Sequence, residues 1–445
     1  MVVEKDKWSA LGFDPAHLEF GQLGYKPVNS LPDFIKQNDL AGFLWLVSQI
    51  ESQTFASNKH KFILPTNVWL CARCTRFDEV TMTERENEIL ALIKLDPMIA
   101  QQTLADKLGL SRSAVAGHIM NLTRKGFIQG KGYVIAPERY AVVIGGANMD
   151  LCGRSIDELV LGDSNPGVLT SSAGGVGRNI ADNLGRLGSQ VQFIGAMGDD
   201  KWGEQLKQAC NLANVGVDHC LIITGATTSS YLSIHGPDGE MQIALNDMGL
   251  IEELNAETLA ARDGVLSRCG ALVIDANLSE SALDYLFSVH SDKPIFVDPV
   301  SSVKARKLAP YLDRIHTLKP NKIEAELLSG IKIESLDQLP QVADALHQKG
   351  VKRLLISLGS QGAFASNETE QRFIPPSATQ VNNVTGAGDA LMAGLAHGFM
   401  SDWSWSLSVD FALAAACLAL KAEKTINSTM SEHAVQRLIE ETSRC

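Results

Sequence analysis

The stretch Asn383-Val384-Thr385-Gly386-Ala387-Gly388-Asp389-Ala390 carries the sharpest chemical signal in the chain, and it runs into small and apolar residues, Leu391 to Ala396, suited to a closely packed helix. A Gly-Ala-Gly turn at a helix start leaves backbone N–H groups unpaired. Together with the positive end of the helix dipole they can hold an anion. Asp389 then falls in the first turn beside that anion, where a carboxylate suits a base that takes the proton of a hydroxyl attacking a phosphoryl group. A lone G-x-G-D would read as an ordinary turn with a capping aspartate, but this one has company. Ser172 to Gly188, SAGGVGRNIADNLGRLG, is a second glycine turn opening a helix. With no side chains at Gly174 and Gly175 a sugar ring can approach the backbone amides, and Asn179 supplies a hydroxyl partner. Asn148 and Asp150, at the end of an apolar strand, add acceptors suited to vicinal hydroxyls. Asn321 and Glu324 lie three residues apart in KPNKIEAE, on one helical face, a spacing that can hold a magnesium ion through water. Ser357-Leu358-Gly359-Ser360-Gln361-Gly362 follows another apolar strand and forms a turn able to approach nucleotide phosphates. There is no G-x-x-x-x-G-K-[ST], which excludes a P-loop.

These groups need a scaffold. From Tyr140 onward, apolar strands (YAVVIGG, then Gln192 to Ile194, Ala271 to Ile274, Ile295 to Val297, Leu354 to Ile356) alternate with helical stretches such as Gly203 to Ala213. That alternation predicts an α/β fold with a mostly parallel sheet, helices on both faces, and ligands at the carboxyl edge. Upstream, Thr83 and Glu86 make a capping box for a helix with Ile89, Leu90, Leu92, Ile93 and Leu95 as its apolar face. A short helix over about Gln101 to Leu108 follows. Ser111 caps a third, with Val115, Ile119 and Leu122 inward and Arg112, Ser113, His118, Asn121 and Arg124 outward. Phe127 to Ile135, broken by Gly130 and Gly132, reads as a two-stranded wing. This order is the winged helix-turn-helix pattern, and it predicts DNA binding through residues 82–137, with Lys125 beside Arg124 on the phosphates. From Ser111 to Gly132 there are four basic residues and no acidic one. A three-helix bundle used only for dimerisation is the alternative reading.

Composition bounds the rest. The chain has 445 residues and a formal charge of −12, so its average surface repels nucleic acid and any DNA contact has to be local. The longest apolar run, Phe411 to Leu420, stops at Lys421, well short of the roughly 18 residues a membrane span needs. The start, with Glu4, Lys5, Asp6 and Lys7, lacks the form of a secretion signal. A cytoplasmic protein without membrane contact is expected. Eight cysteines form no dense framework, and the single C-x-x-C, Cys71 and Cys74, has no second pair nearby. Residues 1–81 hold 11 of the 27 aromatic residues, which favours order; a helix is expected from about Leu31 to Ile50, with no chemistry attached to it. A translation start at Met82 is an alternative to an extra domain there.

The ordered set G-G-x-N-M-D, G-G-V-G-R-N, K-P-N-x-x-E, S-L-G-x-x-G and N-V-T-G-A-G-D-A resembles the ribokinase-like (PfkB-type) carbohydrate and nucleoside kinases over about residues 138–435. The resemblance implies ATP-dependent phosphorylation of a primary hydroxyl, with Asp389 as base and Gly386, Ala387 and Gly388 as the anion hole. It also implies Mg2+ near Glu324; Asn321, Ser357, Gly359, Gly362 and Thr385 on ATP; and Asn148, Asp150, Gly174, Gly175 and Asn179 on the sugar. A small β lid is expected, with Thr228 to Met248 as its hairpin, turning at Pro237-Asp238-Gly239. GDSNPG, TSSYLSI, LNDM, DANLSE and IFVDPVS resemble those members of the family that phosphorylate the C-nucleoside pseudouridine at its 5′-hydroxyl. Base recognition then falls to Ser230, Tyr231, Asn246, Asp247 and Asn277. Val176 stands where ribokinases proper usually carry lysine, which argues against free ribose. Asn383 stands where the family often has an aspartate linked to a monovalent cation, so no such dependence is assigned. Another nucleoside or sugar as acceptor, and a ligand-sensing transcriptional regulator, stay open as rival readings. A homodimer through the lid is a further expectation.

Overall fold

The computed structural model describes residues 82–130, 134–135, 139–377 and 381–442. The helix expected over Leu31 to Ile50 and the Cys71/Cys74 pair lie outside the described residues. The described residues, from Met82 onward, form one compact unit.

Helix α1 (Glu84–Leu95) begins where its capping box dictates: Thr83 Oγ1 accepts from the Glu86 amide at 3.2 Å, and the Glu86 carboxylate accepts from the Thr83 amide at 2.8 Å. Helix α2 (Gln101–Leu108) ends at Gly109, and α3 (Arg112–Arg124) is capped by Ser111 through the Ala114 amide. Ile89, Ile93, Leu104, Val115 and Leu122 are fully buried between the three helices. Strands β1 (Ile128–Gly130) and β2 (Val134–Ile135) pair antiparallel as the wing. The turn after α3 rests on the rest of the unit: a Cβ at Gly264 would come within 2.7 Å of the Arg124 carbonyl oxygen. Beside it the Arg268 guanidinium lies 3.6 Å from the centre of the Phe127 ring.

After β3 (Ala141–Ile144) the chain leaves the central sheet at Gly145–Ala147 and enters β4 (Asn148–Ser155), returning antiparallel as β5 (Gly167–Gly174). Helix α4 (Val176–Arg186), β6 (Val191–Ile194), α5 (Lys201–Leu212) and β7 (Val215–Gly216) follow, then the hairpin β8 (Ser230–His235) and β9 (Met241–Asp247). The second half runs β10 (Ala271–Asp275), α6 (Glu280–Val289), β11 (Ile295–Asp298), β12 (Thr317–Leu318), α7 (Lys322–Ser329), α8 (Leu339–Gln348) and β13 (Arg353–Ser357). Strands β14 (Ala363–Ser366) and β15 (Gln371–Ile374) come next, followed by α9 (Ala387–Met400), α10 (Trp405–Leu420) and a last helix α11 (Glu432–Thr442).

Among the described residues nine strands form the central sheet, in the order β15-β14-β13-β12-β11-β10-β3-β6-β7, parallel from β13 to β7 with an antiparallel pair at one edge. Its inner strands are apolar on both faces because both are covered. Val142, Ile144, Leu272, Ile274 and Val297 pack with α6 and α8. Ala141, Val143, Val273 and Phe296 pack with α4, α9 and α10. Strand positions alternate between these two cores, as the two-residue period of a pleated strand requires.

The second sheet, β9-β8-β4-β5, is the expected lid. Residues directly opposite on neighbouring strands share a face. Pairing of Asp150 with Tyr231 and Ser172, and of Tyr231 with Asn246, puts these four on one face with Asn148. The other face carries Leu151, Leu169, Leu232, Ile234, Ile243 and Leu245, of which Leu169, Ile243 and Leu245 are 70%, 58% and 65% exposed. Among the described residues no helix is long and apolar enough to cross a membrane.

Candidate functional site

The carboxyl ends of β3, β10, β11 and β12 meet the amino ends of α4, α7 and α9, and the chemistry-bearing residues gather at that edge. Gly386, in the left-handed region at φ 86°, is the N-cap of α9, which places Asp389 in the first helical turn, 9% exposed. Burial, reinforced by the neighbouring Asp298 carboxylate, pushes the Asp389 carboxyl up to about 7, against the Asn179 hydrogen bond and the positive charges of Lys319 and Arg178. Asn179 Nδ2 donates to Asp389 Oδ2 at 2.8 Å, so the two glycine turns identified in the sequence come together through their helices.

Space around the second turn is used differently from the sequence expectation. A Cβ at Gly174 would run into the Asp150 carboxylate, with Oδ1 at 2.8 Å, and one at Gly175 would lie 2.6 Å from Ala147 Cα. The missing side chains thus make room for protein atoms rather than directly for a sugar. Gly175 also sits at φ 96°, which favours glycine. Asn148 Nδ2 donates to Asp150 Oδ1 at 2.6 Å, and burial raises the Asp150 carboxyl.

Asn321 is the N-cap of α7, and its side chain exchanges hydrogen bonds with Glu324 as a second capping box, each 2.9 Å. One Glu324 oxygen is thereby occupied, and burial raises this carboxyl. Asp298 pairs with the buried Lys319 ammonium at 3.1 Å. Three carboxylates, Asp298, Glu324 and Asp389, act on that single ammonium; with Asp389 as the base, Asp298 and Glu324 are the hard oxygen donors that fit a magnesium ion. Among the described residues no three acidic, histidine or cysteine side chains are placed to ligate one ion directly, so water or phosphate oxygens would complete its shell. The Ser357 amide donates to the Pro320 carbonyl at 2.9 Å, bringing the turn at Gly359 and Gly362 beside the Asn321 turn. Thr385 is exposed, its amide held by Asn383 Oδ1 at 2.9 Å.

Of the lid candidates, Tyr231 and Asn246 share the face of Asn148 and Asp150, whereas the register puts Ser230 and Asp247 on the opposite, largely apolar face. Asn277 lies against the Gly146 turn, its Oδ1 accepting from Lys304 Nζ. On α3, Arg112, Ser113 and Arg124 are exposed and His118 and Asn121 half-buried. Lys125 is corrected: it is ion-paired at 2.8 Å with the buried Glu86 carboxylate, which removes it from the charge offered to DNA phosphates. Arg124 donates to Asn121 Oδ1 at 3.0 Å.

Four residues at the site were not singled out from sequence: Asp275, Asp298, Lys319 and Arg178. Asp275 is fully buried; its Oδ2 accepts from the Gly146 and Gly177 amides at 2.8 and 2.7 Å and its Oδ1 from the Asn277 amide at 2.9 Å. A usable signal existed, since Asp275 and Asp298 each close an apolar strand at the edge where α/β sheets bind ligands.

The fold and this site belong to a sugar-kinase class: residues 138–432 match the pfkB family of carbohydrate kinases, and residues 82–129 match a winged helix-turn-helix DNA-binding family. The chain belongs to the pfkB family. It is 40% identical over 352 residues to an uncharacterized sugar kinase, YeiI, of Escherichia coli (strain K12), covering 79% of this chain and 97% of that one. It is 43% identical over 302 residues to the pseudouridine kinase of the same organism, covering 68% of this chain and 96% of that one. Among solved structures, Arabidopsis thaliana ribokinase complexed with ribose and ATP superposes with a TM-score of 0.60 at 25% identity, covering 68% of this chain and 99% of that one.

Proposed function

We propose that this chain transfers the γ-phosphoryl group of ATP to the 5′-hydroxyl of pseudouridine. The observation that carries the reading is the placement of Asp389: a buried carboxyl with its pKa near 7, in the first turn of a helix opened by Gly-Ala-Gly, hydrogen-bonded to Asn179 of the helix that follows the sugar-binding turn. The 43% identity to a pseudouridine kinase and the matching short motifs support the acceptor. The 5′-oxygen bonds to the γ-phosphorus as its proton passes to Asp389, and the bond from phosphorus to the β,γ-bridging oxygen breaks to release ADP. Amides of Gly386, Ala387 and Gly388 hold the developing negative charge. Asn148, Asp150 and Asn179 orient the ribose hydroxyls under the polar lid face, while Tyr231, Asn246 and Asn277 face the base. Asn321, Ser357, Gly359, Gly362 and Thr385 hold the nucleotide. Magnesium, beside Glu324 and Asp298, would neutralise phosphate charge.

Turnover of pseudouridine, uridine, inosine, adenosine and ribose, each with ATP and magnesium, tests this. A kcat/KM for pseudouridine at least about tenfold above the others is expected. A preference for another acceptor reassigns the lid, and phosphorylation of none leaves a ligand-sensing regulator.

DNA binding by the winged helix accompanies this activity, supported by the exposed Arg112, Ser113 and Arg124 on α3. Arg112→Ala is expected to weaken binding to the chain's own upstream DNA and to lower the slope of log affinity against log salt by about one, measured by gel shift across salt concentrations. A slope unchanged by the substitution removes Arg112 from the phosphate contacts. The exposed apolar lid face supports a homodimer, and Leu245→Lys is expected to give a monomer by sedimentation where the wild type is a dimer.

A further inference from the structure

We infer that Arg178 is a positioning residue for phosphoryl transfer: its guanidinium fixes the side-chain amide of Asn179 in the one orientation that donates to Asp389, and ties the end of lid strand β5 to the same helix. The inference rests on the proposed role of Asp389 as the base.

Arg178 is 1% exposed. A buried guanidinium is tolerated only if its charge is compensated and its donors find acceptors. Charge is met by Asp182, one turn along α4, at 2.8 Å; Asp182 also accepts from Arg186 Nε at 2.5 Å. The other donors go to Gly174 O at 3.1 Å, to Ala173 O at 2.9 Å and to Asn179 Oδ1. This last bond decides the geometry at Asp389. An asparagine amide has one accepting and one donating end, and its two orientations are otherwise nearly equivalent in shape. Guanidinium can only donate, so the oxygen of Asn179 has to face Arg178. The NH2 group is thereby turned to Asp389 Oδ2, an acceptor that an amide oxygen would repel. Ala173 and Gly174 are the last two residues of β5, and they pair with Met149 and Asn148 of β4. One buried side chain therefore fixes the strand edge that carries Asn148 and the donor that holds the base.

The groups facing Asp389 make the consequence measurable. Asp298 disfavours its ionised form, whereas Lys319, Arg178 and the Asn179 hydrogen bond favour it. In Arg178→Met the cation is gone and the Asn179 amide is free to turn, so two of the three favourable influences weaken together. The ionised form is the one that accepts the proton. The acid limb of the kcat profile is expected to move to higher pH by about one unit. At neutral pH kcat is expected to fall about tenfold or more, with KM for ATP changed less than about threefold. Arg178→Lys, which returns a positive charge but not the two-sided hold, is expected to recover part of the limb position.

A purely structural role would lower the melting temperature and leave the limb where it is. An unmoved limb with kcat within about twofold of wild type overturns the inference. If Arg178→Met does not fold, Asn179→Asp carries the test, since it keeps an anion against Arg178 but presents an acceptor to Asp389. Its acid limb is expected to rise, and an unmoved limb again overturns the inference. Asp389→Asn, assayed alongside, separates the two readings. Full activity in that variant sinks the role of the base, whereas its inactivity with an unmoved Arg178→Met limb sinks only the role of Arg178.

Discussion

Asp389→Asn is expected to lower kcat by about a thousandfold or more and to change nucleoside affinity by less than about threefold, read by steady-state turnover and by equilibrium titration. The variant keeps the size of the side chain and can still accept from Asn179, so the nucleoside pocket stays intact while the proton acceptor is lost. The wild-type rate should itself report the group. With its carboxyl pushed up to about 7, Asp389 is largely protonated at pH 6 and kcat/KM should fall tenfold per unit well below neutrality. The same shift has a stability consequence of fixed sign. In the unfolded chain the carboxyl loses its proton near pH 4, in the fold only near 7. Its contribution is therefore fully present below about pH 4 and lost as pH rises to about 7. Asp389→Asn abolishes that loss. Its melting temperature should gain on the wild type's progressively between about pH 4 and pH 7 and level off above that. A variant that turns over normally, or gains nothing in stability with rising pH, contradicts the burial of a titrating carboxyl here.

The second large effect is on the fold. Asp275→Ala is expected to destabilise the kinase region by about 2 kcal/mol or more, because it orphans the buried Gly177 N–H, at roughly 1–3 kcal/mol, and the half-buried N–H groups of Gly146 and Asn277. Asp275→Asn should cost less but still clearly: one amide end can accept, while the other presents N–H groups to N–H groups. Urea denaturation followed by tryptophan fluorescence measures both. A loss under about 1 kcal/mol in the alanine variant would show that the three amides find other partners.

What the sequence made legible was local. The Thr83/Glu86 spacing announces a capping box that forms, the glycine turns open the helices expected of them, and the hairpin turns at Pro237 to Gly239, whereas Asn321 and Glu324, read for magnesium, form a capping box that was not expected. What escaped depends on contacts between distant segments. Lys125 reads as an available cation until Glu86, 39 residues away, is found beneath it. Ser230 and Asp247 read as pocket residues until strand register assigns their face, and a one-residue slip in register exchanges the two faces of a strand. Arg178 stands inside a motif that was read for its glycines and its asparagine. Nothing in its spacing foretells that the lid strand closes over the guanidinium.

The two halves of the acceptor site differ in how they can change over evolutionary time. One half is backbone: the turns at Gly145–Gly146 and Gly174–Gly177, packed atom to atom and braced by Asp275. A side chain added at Gly175 would collide with the backbone of Gly146 and Ala147, and one at Gly174 would displace the Asp150 carboxylate, so substitutions there disturb the site itself. The other half is the polar face of the lid, where Asn246 is exposed and Tyr231 only half-buried. Substitutions at those two positions disturb few packed neighbours and leave the phosphoryl-transfer groups untouched. If the acceptor is the proposed nucleoside, a lineage built on this scaffold can exchange one base for another through the lid, with the glycine turns as the fixed inheritance.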